Sequence, residues 1–88
     1  MSQESLRELL ARVHERLSAS GGSLDRESRQ LLGTVMQDIE RTLEAAAAGA
    51  AAAHAPRLEK LAVRFEAGHP GLAETLRELI DALVKAGI

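Results

Sequence analysis

The chain has no cysteine. That removes disulfides, thiolate metal sites and thiol nucleophiles together, and it leaves the redox compartment undetermined. Tryptophan and tyrosine are also missing, and Phe65 is the single aromatic residue, so there is no set of rings on which nucleobases stack. No apolar run approaches the roughly 20 residues needed to span a bilayer. The opening "MSQESLRELL" carries acidic residues where a secretory leader would carry a basic region followed by an apolar one. Charge of one sign is lacking too. A net charge of −2 gives no general attraction to nucleic acid or to an anionic membrane. The expectation from these absences is a soluble cytoplasmic protein whose partners include neither nucleic acid nor membrane.

What is present is apolar and helical in pattern. Of the 88 residues, 45% are hydrophobic, though alanine accounts for much of that and leucine for most of the large side chains. Leucine suits a core packed between helices, where branching at Cβ is not needed. The length allows one domain, residues 1–88, near the size at which a single core is only just sufficient. Burying each large side chain stabilises by roughly 1.5–3 kcal/mol, while ordering each residue costs roughly 1.5 kcal/mol. Self-association would close that gap, so a homodimer is expected, with a further protein partner left open.

Leu6, Leu9, Leu10, Val13 and Leu17 recur at helical spacing, opposite Glu4, Arg7, Glu8, Arg12, Glu15 and Arg16. This predicts an amphipathic first helix, capped by Ser2 or Ser5 and supported by an i,i+4 pair between Glu8 and Arg12. "SASGGS" ends it and reverses the chain. Asp25 then suits the N-cap of a second helix, with Glu27 in its first turn. Leu32, Met36, Ile39, Leu43, Ala46 and Ala50 follow at alternating intervals of four and three. That is an a/d seam for helices packed along their lengths, widened at its start by Leu31 and Val35. Met36, Ile39 and Leu43 are the residues through which a dimer is expected to form.

"AAAAGAAAAHAP" is low in complexity, and residues 45–55 read as an alanine-rich linker or an extension of the second helix. Pro56 suits the start of a third helix, which uses Leu58, Leu61, Ala62 and Phe65. A fourth follows Pro70, with Leu72, Leu76, Leu79, Ile80, Leu83 and Val84 as its stripe. Glu74 with Arg77 and Asp81 with Lys85 are spaced to pair on its solvated face. The closing "KAGI" reads as a helix stop: Gly87 in the left-handed position, Ile88 folding back on Leu83, and Lys85 facing the negative dipole end. No strand pattern occurs.

The densest cluster of unusual residues is "FEAGHPGL". Read as chemistry, His69 is a base or ligand with Glu66 three residues before it, the spacing used in di-iron helical bundles. Such a site needs a second copy and further glutamates. His14, the other inward candidate, has no glutamate three residues before it, and Gly68 and Pro70 interrupt the helix that would hold the pair in register. Read as geometry, Gly68 ends the third helix, His69 occupies the junction and Pro70 opens the fourth. The second reading is the simpler one. His69 is a poor cap beside Ser, Asp or Asn, which points to an imidazole buried and hydrogen-bonded across the corner. His14 reads as a boundary residue and His54 as a solvated one.

Catalysis finds little support. The serines lie at or near helix ends, and no phosphate loop is present, since "SASGGS" lacks both the lysine and the preceding strand. Arg57, Lys60 and Arg64 do share one face of the third helix, diluted by Glu59 and Glu66. The spacing of a helix-turn-helix is not evident.

Two stretches carry a resemblance. "LDRESRQLLGTVMQDIERTL" and "RFEAGHPGLAETLRELIDALVKAGI" together resemble the short bacterial proteins grouped as domain of unknown function 4404, with "FEAGHP" and "DALVKAGI" the most specific elements. The likeness leaves out the alanine tract. It implies a bacterial helical protein, brings no established activity or cofactor, and makes His69 and Pro70 a signature pair. The expectation is therefore an all-α antiparallel bundle of three to four helices with coiled-coil-like seams, acting as a self-associating or protein-interaction module without cofactor or bound metal. The alternative is a binding module for an anionic ligand or partner that uses the corner at Phe65, Glu66, His69 and Pro70 and the face of Arg57, Lys60 and Arg64. A metal-dependent enzyme or metal carrier ranks third.

Overall fold

Four amphipathic stripes become four α-helices: α1 (Gln3–Ser20), α2 (Arg26–Glu44), α3 (Ala55–Phe65) and α4 (Pro70–Ala86), with a 3₁₀ turn at Gly21–Ser23. The structure, a computed structural model, describes residues 3–45 and 53–86. No strand occurs among them. The expected cap at Ser2, the stretch 46–52 of the alanine tract, and the Gly87–Ile88 helix stop lie outside the described residues.

The helix starts follow from local chemistry. The Asp25 carboxylate accepts the Ser28 backbone N–H at 3.0 Å, which fixes the first turn of α2. Bonds from the Ser28 hydroxyl and then its N–H hold the Asp25 carboxyl below the usual carboxylate range. Pro56 stands at the second position of α3, after His54 as N-cap. Between α3 and α4 the chain turns over residues 66–68. The His69 N–H donates to the Phe65 carbonyl at 2.7 Å, and the His69 carbonyl accepts the Ala73 N–H at 3.0 Å. The stretch "FEAGHPGL" is thus a corner, with Pro70 opening α4. Gly68 is not left-handed, and a Cβ there would meet open space. The corner is built from the two His69 backbone bonds.

Cross-helix bonds show the antiparallel arrangement directly. Along α2 and α3, Ser28 meets Arg64, Asp38 meets Arg57 and Thr42 meets His54, one helix rising as the other falls. Along α1 and α4, Arg12 pairs with Glu78 at 3.1 Å, and Arg16 reaches Gly71. His14 Nε2 lies 3.0 Å from Glu40 Oε1 between α1 and α2. Arg12 therefore pairs across the bundle and not with Glu8, and Arg77 pairs with Glu66 at 3.6 Å and not with Glu74. Asp81 and Lys85 pair as spaced, at 3.0 Å.

α4 lies between α1 and α3 and packs closely on both. It therefore buries an arc wider than its leucine stripe: Leu72, Leu76, Leu79 and Leu83, and also Ala73, Thr75 and Ala82. The small residues let its neighbours approach, and the Thr75 hydroxyl is satisfied by the Gly71 carbonyl at 2.9 Å. Val84, expected on the stripe, is 42% exposed. α1 contributes Leu6, Leu10 and Val13, and α3 contributes Leu58, Leu61, Ala62 and Phe65.

The α2 seam changes meaning. Leu32, Met36, Ile39 and Leu43 are at most 3% exposed within one chain. Met36, Ile39 and Leu43 are thus used up in the core and are unavailable as the dimer surface expected of them. A radius of gyration of 12.1 Å equals the roughly 12 Å of a compact domain of this length.

Candidate functional site

The basic residues of α3 find their setting against α2. These two helices touch less than α3 touches α4, and a groove of about 470 Å³ runs between them. Its lining joins Arg57, Lys60 and Arg64 of α3 to an apolar floor of Leu31, Val35 and Leu61. Glu27, Gln30 and Thr34 complete it from α2. Leu31 is 44% exposed, so the wide start of the α2 stripe supplies the floor of an open groove and not core.

Two of the three cations are fixed from α2. Arg64 Nη1 donates to the Ser28 hydroxyl at 3.1 Å, and Ser28 itself is fully buried. Arg57 Nη2 donates to Asp38 Oδ2 at 3.2 Å and to His54 Nδ1 at 2.8 Å. Lys60, between them along α3, has no hydrogen-bond or ion-pair partner among the described residues. The groove thus has an arginine tethered toward each end and a free ammonium between.

The Arg57 contact assigns the His54 tautomer. An Nδ1 that accepts from a guanidinium carries no proton, so the proton sits on Nε2. Nε2–H then donates to the Thr42 hydroxyl at 3.2 Å, which in turn donates to the Asp38 carbonyl at 2.9 Å. Partial burial, reinforced by the Arg57 charge and opposed by Asp38, holds His54 below the ordinary imidazole range. His54 is a member of this network and not the solvated residue expected from its alanine-rich surroundings.

The corner residues go elsewhere. His69 lines a shallow pocket of about 220 Å³ with Arg16, Ala19, Ser20, Gly71 and Leu72, which shares no residue with the α2–α3 groove. Its imidazole is half-buried and meets the Phe65 ring edge to face, with centroids 6.3 Å apart. No hydrogen bond reaches that imidazole among the described residues, so packing on Phe65 takes the place of the expected bond across the corner. Glu66 faces Arg77, and Pro70 acts through the backbone as the first residue of α4. Among the described residues no three His, Asp or Glu side chains converge as metal ligands.

The sequence marks the three cations but not their tethers. Ser28 had a readable signal, because it extends the seam one step back from Leu32 at the interval of four. Asp38, Thr42 and His54 had none. Asp38 and Thr42 lie one turn apart on α2 and meet His54 only because α2 and α3 run antiparallel. No helix among the described residues is long and apolar enough to cross a membrane.

Neither the curated proteins nor the solved structures provide a match to this chain. The sequence pattern of one family does match, over residues 6–88. That span takes in all four helices except the first residues of α1, including the corner and both walls of the groove, so the chain belongs to the family described as Domain of unknown function (DUF4404).

Proposed function

We propose that this protein is a small protein-interaction module whose binding surface is the groove between α2 and α3. One observation carries the reading: a half-exposed leucine and two further apolar residues floor an open groove beneath three cations. A catalytic pocket would bring together titratable groups with altered affinities for protons; this groove brings together apolar surface and fixed positive charge. Such a surface, apolar within and charged at its edge, is the anatomy of a protein contact. The His69 corner is a structural joint in this reading, and the anionic preference belongs to the groove alone.

Self-association takes a lesser place. With the α2 seam inside the core, the exposed large apolar residues left to a homodimer, among those described, are Leu31, Val63 and Val84. A two-fold contact over the groove would set its cations against their own copies. The test is a photo-crosslinking residue at Thr34 in the groove, with Glu74 on the exposed face of α4 as the control position. Adducts from position 34 that vanish with Lys60→Glu support the reading. An adduct at twice the chain mass makes the groove a homodimer contact. Equal adducts from both positions, or none from position 34, reject it.

A further inference from the structure

From the groove's charge, floor and length we infer its occupant: an acidic amphipathic helix of another protein, lying along α2 and α3 with its apolar face down. This rests on the groove being a binding surface and says what fits it.

The sign of the charge is the first argument. The lining holds three cations and one carboxylate, Glu27; with Arg57 already paired to Asp38, Lys60 and Arg64 still outnumber it, on a chain whose net charge is −2. The groove is a local reversal of the molecule's own sign, and charge complementarity selects an acidic ligand. A second copy of this chain placed groove to groove is disfavoured by the same count.

The floor is the second argument. Leu31 is half-exposed below the cations, beside the already buried Val35 and Leu61, so the ligand needs an apolar side chain to cover it between or beneath its carboxylates. Nucleic acid offers phosphates but would leave Leu31 facing a charged backbone, and no aromatic ring lies in the lining to stack a base. A small anion such as phosphate would leave the floor uncovered.

Spacing is the third. Arg57, Lys60 and Arg64 follow each other at intervals of three and four along one helix, spanning about 10 Å at the helical rise. A helix laid alongside matches them with carboxylates at i, i+4 and i+7 or at i, i+3 and i+7, the interval at which one face repeats. Leucines at the neighbouring face positions then meet the floor, as in other helix-in-groove contacts. Tethering of Arg57 by Asp38 and of Arg64 by Ser28 means that two of the three cations are ordered before the ligand arrives, which lowers the entropy lost on binding.

The probe is a designed helical peptide of about 14 residues, the usual helix length, with leucines on one face and glutamates at i, i+4 and i+7 beside it. Binding to the full isotope-labelled chain is read by amide shift mapping and titration. Shifts are expected at Leu31, Thr34, Val35, Lys60 and Leu61. Both Lys60→Glu and Leu31→Glu, which alter exposed side chains, should weaken binding about tenfold or more, and added salt should weaken it further. A peptide with the same glutamates but alanines for leucines should bind at least about tenfold more weakly. Equal binding by the alanine peptide overturns the apolar-floor argument and leaves a simple anion site. Stronger binding by a single-stranded oligonucleotide, or shifts with inorganic phosphate at the same residues, overturns the occupant. If adducts from position 34 depend on Lys60 and yet the peptide does not bind, the groove stands as a surface and the helical acidic partner is wrong. If neither occurs, the groove itself is wrong.

Discussion

The two sides of α3 are built differently. On one side it packs closely on α4: α3 buries Leu58, Ala62 and Phe65, and α4 buries leucines interleaved with Ala73, Thr75 and Ala82. On the other side it meets α2 partly through polar tethers: Arg64 to Ser28, Arg57 to Asp38, and His54 to Thr42. Close apolar packing leaves little space, so the α3–α4 side carries stability. Tethers hold two helices at a set distance without filling the space between them, and that space is the groove. A hydrogen bond at a partly exposed site adds only about 1 kcal/mol, against roughly 1.5–3 kcal/mol for each large side chain fully buried. The open side is therefore a costly arrangement for stability alone, which is why function is placed there.

The two sides of α3 differ most at Phe65. The ring is 2% exposed, and Phe65→Ala should destabilise by about 3–5 kcal/mol. For a domain this small that lowers the melting temperature by more than about 10 °C. On the groove side, Leu31→Glu should stay within about 0.5 kcal/mol of wild type, the range of surface substitutions. Thermal melts of the two variants test the asymmetry, and equal losses would show that α2 and α3 pack as tightly as α3 and α4.

Ser28→Ala comes next. It removes the acceptor of Arg64 from a buried position, and water can replace it only on the arginine's side. A loss of about 1 kcal/mol is expected, with a larger relative effect on peptide binding than on the melt, because Arg64 loses its tether. A variant that melts earlier but binds unchanged would make Ser28 a core residue only.

Of similar size and opposite sign is Gly33→Ala. Gly33 lies inside α2, its φ is not left-handed, and a Cβ there meets nothing within 4 Å. Alanine should stabilise α2 by about 1 kcal/mol, the helix-propensity difference. Gly68→Ala, for the same reasons of space and backbone, should change the melt by less than about 0.5 kcal/mol. A loss of stability at Gly33 would show that its missing side chain serves a close approach by something else.

Much of this fold was legible in the sequence. The period of Leu32, Met36, Ile39 and Leu43, the Asp25 cap and the Pro70 start each depend on residues within one or two helical turns, and local chemistry decides them. What the sequence withheld is which stripe faces which. The α2 seam read as a dimer surface because its spacing suits a helix from another copy as well as one from the same chain. Arg12 had a local partner in Glu8 and took the distant Glu78. The candidate site was half legible for the same reason: Arg57, Lys60 and Arg64 share a face of one helix, whereas Leu31, Ser28 and Asp38 join them only through the antiparallel register.

The smallest expected effect concerns His54, and it sharpens the contrast by acting on the groove side alone. In the folded chain Nδ1 accepts from Arg57 at 2.8 Å, so protonation would place an N–H against a guanidinium. Burial and that charge hold the folded histidine below its ordinary range, whereas in the unfolded chain it takes a proton near pH 6.5. The unfolded state therefore binds more protons in this window. The stabilisation is fully present above about pH 6.5 and is lost as pH falls through it toward the lower folded value. Because the ring is only partly buried, screening keeps the effect smaller than the gain from Gly33→Ala. Melts at about pH 7.5 and about pH 5.5 should show a drop in the wild type that shrinks in His54→Gln, whose side chain can still accept from Arg57 but cannot be protonated there. The same drop in both proteins would remove His54 from the account. A drop confined to the wild type, with shifts over Arg57 and Thr42 and none over Phe65, would place the acid-sensitive contact between α2 and α3.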